Sequence, residues 1–112
     1  MKNKKEILKL FSIKEIFTLS GFKNRKRVRF FRQKGTDCVS CNCVGTFFAL
    51  EMDKNGHIAL DLYGVDTNGV ERRMTIDHKH PKSKGGSDRL KNLQPMCEYC
   101  NTKKSDKILY SP

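Results

Sequence analysis

Two Cys-x-x-Cys pairs, Cys38-Val39-Ser40-Cys41 and Cys97-Glu98-Tyr99-Cys100, constrain this 112-residue chain more than any other feature. Two thiolates separated by two residues can face one ion. Four of them close a tetrahedral zinc site with Zn–S bonds of about 2.3 Å. One ion held by all four ties the N-terminal part of the chain to the segment that starts at Cys97. At 12.9 kDa, with 37% hydrophobic residues and no Trp, the chain can build only a small core, and small cores are commonly stapled by a metal. Five cysteines are an odd number, so a fully paired disulfide framework is not expected. The expected setting is a reducing cytosol. Cys43 either replaces Cys41 as a ligand or stays a free thiol, and the two-residue spacing favours Cys41. A redox Cys-x-x-Cys would need a thioredoxin-like βαβ pattern, which the sequence lacks.

Charge is distributed unevenly. Of the 23 Lys and Arg, 12 lie in residues 1–34 with only 2 of the 12 acids, and the whole chain carries +11. Such a block suits the phosphate backbone of nucleic acid, and Arg25, Lys26, Arg27, Arg29 and Arg32 are the candidates for contact. Lys9 and Lys14 interrupt Ile7 to Leu19, which therefore lacks the apolar run of a signal peptide. No stretch is long and apolar enough to span a membrane.

The chain reads as a short amphipathic helix over residues 4–19, in one or two pieces, with Ser12 and Glu15 as a capping box. Gly21 breaks it. A basic helix over Asn24 to Lys34 follows, with Phe30 and Phe31 packed inward, ending at Gly35; a strand over the same residues is the alternative the sequence leaves open. Phe47 to Met52 and His57 to Tyr63 flank Asn55-Gly56 and predict a β-hairpin. Asp66 to Gly69 is a second turn. Glu71 to Asp77 predicts a strand running into His78, residues 79–91 a loop, Leu93 to Met96 a returning strand, and Glu98 to about Lys107 a helix.

Around that loop the sequence gathers chemistry. Asp77 and Asn101 offer hard oxygen donors that leave room for water and phosphate around a Mg²⁺-type ion. His78 is a side chain able to take a proton from water near neutral pH, and Asn92 can fix the ring or its loop. His80 touches the phosphate, assists the metal or supports the loop. Lys82, Lys84, Arg89, Lys103 and Lys104 are candidate phosphate contacts, and His57 an exposed bystander.

Residues 75–104, from Thr-Ile-Asp-His-Lys-His-Pro-Lys-Ser-Lys-Gly-Gly through Asn92-Leu93 to Met-Cys-Glu-Tyr-Cys-Asn-Thr-Lys-Lys, resemble the HNH endonuclease family. The resemblance implies a ββα-metal unit, a hairpin with a long loop followed by a helix. The expected fold class is α+β: a small ββα-metal (HNH/His-Me finger) core stapled by a zinc knuckle. Residues 1–34 would be a basic helical arm and residues 35–112 the zinc-stapled nuclease domain. The resemblance further implies that Asp77 is a metal ligand, His78 the general base and Asn92 the residue holding loop and base. The last motif position, often His in the family, is Asn101 here, similar to the Asp-His-x-His and Cys-x-x-Cys-Asn arrangement of phage junction-resolving endonucleases. Asn keeps a carbonyl oxygen for a metal, so Mg²⁺ or Mn²⁺ is expected rather than a soft ion. The implied activity is hydrolysis of phosphodiester bonds in duplex or branched DNA in the cytoplasm, a phage protein acting in that of its host. Asn101 also keeps open a non-catalytic zinc-stapled nucleic-acid-binding module. Substrate shape and oligomeric state are left open, and residues 1–34 lie outside the resemblance.

Overall fold

A computed structural model of the protein describes residues 5–105. Its strands are β1 (Glu6–Ser12), β2 (Val44–Met52), β3 (Ile58–Val65), β4 (Glu71–His78) and β5 (Leu93–Cys97). Its helices are α1 (Ile13–Thr18), α2 (Lys26–Lys34) and α3 (Glu98–Lys104), with 3₁₀ turns at Lys82–Lys84 and Leu90–Asn92. The strands form one antiparallel sheet in the order β1-β2-β3-β4-β5.

The start of the chain corrects the sequence expectation. Residues 4–19 read as helical, yet Glu6–Ser12 is a strand paired with β2, Leu10 opposite Ala49 and Phe11 opposite Phe48. Pairing with a distant strand overrides local periodicity, and of β1 only Phe11 is buried. Ser12 ends the strand and caps α1. Its hydroxyl accepts the Glu15 N–H at 3.0 Å, and its own N–H donates to the Glu15 carboxylate at 2.8 Å. This capping box is the one expected from the sequence. Replacing Ser12 by Ala is expected to cost about 1 kcal/mol, measured as a lowered thermal midpoint; an unchanged midpoint would show that β1 alone sets where α1 begins.

α2 starts two residues later than expected, at Lys26, and ends as expected at Lys34 before Gly35. Val28, Phe30 and Phe31 are buried on its inner side, so the aromatics belong to the core. Phe31 meets Phe48 of β2 edge-on with ring centroids 6.4 Å apart. Ile16, Leu62, Met74 and Met96 complete this core. The basic segment thus contributes a strand to the sheet and two helices to the core.

Both sequence-identified turns use one device. Asp53 accepts the N–H groups of Asn55 and His57 at 2.8 and 2.9 Å, and Asp66 accepts those of Asn68 and Val70 at 2.9 and 2.9 Å. Side-chain acceptors of this kind hold a turn in place of backbone. Gly56 and Gly69 sit at φ +84° and +78°, where a side chain would be strained.

β4 is long enough to serve two partners. Its first residues pair with β3, Glu71 opposite Val65. Its second half pairs with β5, from Met74 opposite Cys97 to His78 opposite Leu93. α3 starts directly where β5 stops and packs back on β4. The expectation that this helix extends to about Lys107 lies partly outside the described residues. The strand–loop–strand–helix sequence sets Asp77, His78, Asn92, Asn101 and the second thiol pair.

Candidate metal centre and active site

Cys38 and Cys41 lie in the loop between α2 and β2, Cys97 at the end of β5 and Cys100 in the first turn of α3. Their four Sγ atoms lie within 4.8 Å of one another, with Cys41 and Cys97 at 3.7 Å. A tetrahedron with Zn–S bonds of about 2.3 Å has S···S edges of about 3.8 Å, so the cluster fits zinc with little adjustment. The Ser40 N–H points at Cys38 Sγ at 3.4 Å and the Cys100 N–H at Cys97 Sγ at 3.5 Å. Such N–H groups stabilise sulfur carrying negative charge, as a metal ligand must. Cys38 N–H also donates to Cys43 O at 2.8 Å, closing the first knuckle into a tight loop. Cys43 itself stands outside the cluster and is completely buried. Burial pushes its thiol up to about 11, that of an inert core thiol.

The second group of residues lines the seam between β4 and α3. Thr75 and Asp77, two apart on β4, face the helix; Asn101 and Lys104, three apart on α3, face the strand. Thr75 donates its single hydroxyl proton to Met96 O at 2.6 Å. The Asn101 atom 2.8 Å from that hydroxyl must therefore be its NH₂ group, which leaves the Asn101 amide oxygen free as a metal ligand. Asp77 is buried. One of its oxygens accepts Gln94 Nε2 at 2.9 Å and the other Lys104 Nζ at 3.3 Å. A carboxylate has about four acceptor positions, so both oxygens keep a lone pair for an ion. Asp77 and Asn101 thus offer hard oxygen atoms along the seam, with the Lys104 ammonium resident beside Asp77.

Lys104 is a correction. The sequence offered it as a phosphate contact, but its side chain is 1% exposed. It donates to Asp77 and, at 3.0 Å, to the carbonyl of His78. A buried ammonium without such partners would be expensive, and the strand end supplies both.

His78 is half-buried at the end of β4. Its Nε2 lies 2.8 Å from Asp88 Oδ1, and Lys82 reaches the other oxygen of Asp88 at 3.1 Å. The hydrogen bond from His78, and then that from Lys82, holds the Asp88 carboxyl below the usual carboxylate range. Among the described residues Asn92 makes no hydrogen bond to the His78 ring. Its oxygen accepts the His80 N–H at 2.9 Å, and its amide donates to His80 O at 3.1 Å and Ser87 O at 2.7 Å. It is the clasp of the loop. His80 Nε2 lies 2.8 Å from Lys84 O, so that nitrogen carries a proton and the ring is tied to the loop backbone. Gly86 passes so close to His80 that a Cβ there would lie 1.7 Å from its carbonyl oxygen; only glycine lets the loop fold this tightly.

Of the basic candidates on and beside α2, Arg25, Lys26, Arg29 and Arg32 are exposed. Arg27 is drawn inward, donating to Met74 O at 3.3 Å and lying 3.9 Å from buried Asp61. Lys84 is exposed and Lys82 is tied to Asp88. Sequence reasoning missed Asp88, Gln94 and Thr75. For Gln94 a signal existed: once β4 and β5 are paired, it stands directly opposite Asp77. For Lys104 the signal was its spacing of three from Asn101 on one helix face.

Among the described residues no helix is long and apolar enough to cross a membrane. Comparison with curated proteins and with solved structures gives no match. Residues 65–107, however, match the family model described as HNH endonuclease. This is the stretch that carries β4, the loop, β5 and α3, and it contains one of the two thiol pairs. Residues 65–107 are thus similar to the HNH endonuclease family, and four cysteines, two of them inside that stretch, are positioned to form a metal site.

Proposed function

We propose that the protein is a metal-dependent endonuclease that hydrolyses DNA phosphodiester bonds on a ββα-metal core. The observation that carries this reading is the state of His78. A carboxylate only accepts hydrogen bonds, so the Nε2 facing Asp88 at 2.8 Å bears the proton. When the ring is neutral, Nδ1 is the free base, and the bond to Asp88 orients the ring before any substrate arrives. Such a group takes a proton from water as the water attacks phosphorus. Asp77 and the free amide oxygen of Asn101 would hold a divalent ion such as Mg²⁺ or Mn²⁺, which when bound neutralises phosphate charge and eases departure of the leaving oxygen. Asn92 holds the loop that carries Asp88, and thereby the partner of the base. Exposed Arg25, Lys26, Arg29 and Arg32 supply positive charge for the DNA backbone.

The test is nicking of supercoiled plasmid by zinc-loaded protein with Mg²⁺, Mn²⁺ or no added ion. His78→Ala is expected to lower the metal-dependent rate by about 10²- to 10⁴-fold while zinc content and thermal midpoint hold. A variant that nicks as fast as the parent removes His78 from the chemistry.

A second reading, a non-catalytic zinc-stapled nucleic-acid-binding module, is favoured by one observation. Lys104 already places a positive charge 3.3 Å from Asp77, so part of the role of an ion there is filled. It is distinguished by salt-sensitive DNA binding without metal-stimulated cleavage in the same assays.

A further inference from the structure

We propose that the cleft between the 79–91 loop and β5 is a phosphate subsite, in which Lys79 and Lys91 grip the DNA backbone next to the phosphate that is cut. The inference rests on the nucleic-acid reading of the site and extends it to two residues that the sequence did not single out.

The cleft has a volume of about 670 Å³ and is walled by Lys79, His80, Gly85, Lys91 and Gln94. Among the described residues no carboxylate lines it. Its charge is set by where the neighbouring ion pairs fall. Lys82 is neutralised by Asp88 and Lys104 by Asp77. Lys79 and Lys91 make no salt bridge among the described residues. Two unneutralised ammonium groups in a concave surface attract an anion more strongly than the same groups on a convex one, because the low-dielectric walls focus their field.

Position makes that anion a backbone phosphate. Gln94 belongs both to the wall of the cleft and to Asp77, whose carboxylate it meets at 2.9 Å. The cleft therefore opens beside the candidate catalytic carboxylate, and a strand lying over Asp77 passes its next phosphate across it. The walls are also fixed in advance. Lys79 N–H donates to Asn92 O at 2.7 Å, and the Asn92 side chain spans the loop from His80 to Ser87. The two lysines are thus carried on backbone that binding does not have to order, which limits the entropy lost when phosphate docks.

The experiment is fluorescence anisotropy of a labelled duplex oligonucleotide with zinc-loaded full-length protein and no added divalent ion, over a salt series. Each phosphate contact contributes about 0.9 to the slope of log K against log salt. Lys79→Gln with Lys91→Gln together should reduce the magnitude of the slope by about 1.8, and each single variant by about half of that. Lys54→Gln, exposed in the turn between β2 and β3, should leave it unchanged. A double variant with the parental slope overturns the subsite, as does an equal loss in Lys54→Gln. Because no cleavage is measured, a protein that fails to cut can still show the slope change. Conversely, a protein that cuts with an unchanged slope keeps the nuclease reading and loses only the subsite.

Discussion

Replacing Cys97 and Cys100 together by serine is expected to remove zinc and the folded state with it. Structural zinc sites of four thiolates contribute about 10–16 kcal/mol of apparent binding free energy near neutral pH, while a small domain has a net stability of only about 5–15 kcal/mol. No other single feature of this chain carries so much. The cluster joins the loop after α2 to the strand–helix junction at Cys97, and the core between them is modest. The expected result is protein without bound zinc, no cooperative thermal transition, and loss of the near-ultraviolet signal of the aromatic core around Phe31 and Phe48. A doubly substituted protein that melts cooperatively at the parental temperature would show that the sheet and core suffice alone. Cys43→Ser serves as the contrast. Its thiol lies outside the cluster, so zinc content should be unchanged even where packing suffers.

Lys104→Met should give the next largest effect. The substitution keeps an unbranched apolar stem but removes the ammonium that faces Asp77 Oδ1 at 3.3 Å and the His78 carbonyl at 3.0 Å. Removing one member of a buried ion pair typically costs about 3–5 kcal/mol, because the other charge is left without its partner. Each kcal/mol corresponds to about 4–8 °C of thermal midpoint in a domain of this size, so the loss should exceed 10 °C. Asp77→Asn with Lys104→Met removes both charges and should recover a large part of that loss, whereas two independent effects would add. Additivity in this cycle would mean that the pair is not coupled. Binding of Mn²⁺ to the Lys104→Met protein, followed by the magnetic resonance signal of the free ion, reports on the seam itself. Without the ammonium, repulsion of a divalent ion at Asp77 is relieved, and affinity should rise.

What could be read from the amino acids follows how local each feature is. The Ser12–Glu15 capping box, the Asp53 and Asp66 turns and the end of α2 at Gly35 are decided within a few residues, and each is written in the sequence. The Cys-x-x-Cys pairs are legible for a different reason: their chemistry allows few other uses. β1 was not legible as a strand because its partner, β2, lies across two helices, and its own pattern of Ile7, Leu8, Leu10 and Phe11 suits a helix as well. At the candidate site, residue types and order announced Asp77, His78, Asn92 and Asn101. The partners of those residues were hidden. Asp88 reaches His78 only because the loop folds back, and loops have no periodicity to read. Lys104 carries a charge that in sequence looks like any surface lysine; only the packing of α3 on β4 turns it inward. The same ambiguity hid the pairing of Lys82 with Asp88.

The division of the four sulfurs between two remote segments also sets a timetable for synthesis. On the ribosome, Cys38 and Cys41 emerge early, but they wait for their partners while β2, β3, β4 and the loop are made. A nascent chain that has reached residue 90 already contains Asp77 and His78, yet it lacks the second thiol pair, the helix and Asn101. Long-range closures of this kind are slow steps because ordering the intervening chain precedes the reward. Closure of the four-thiol cluster therefore waits for Cys97 and Cys100, the last of the four to be made. Until then the growing chain carries His78 without the second thiol pair and without Asn101.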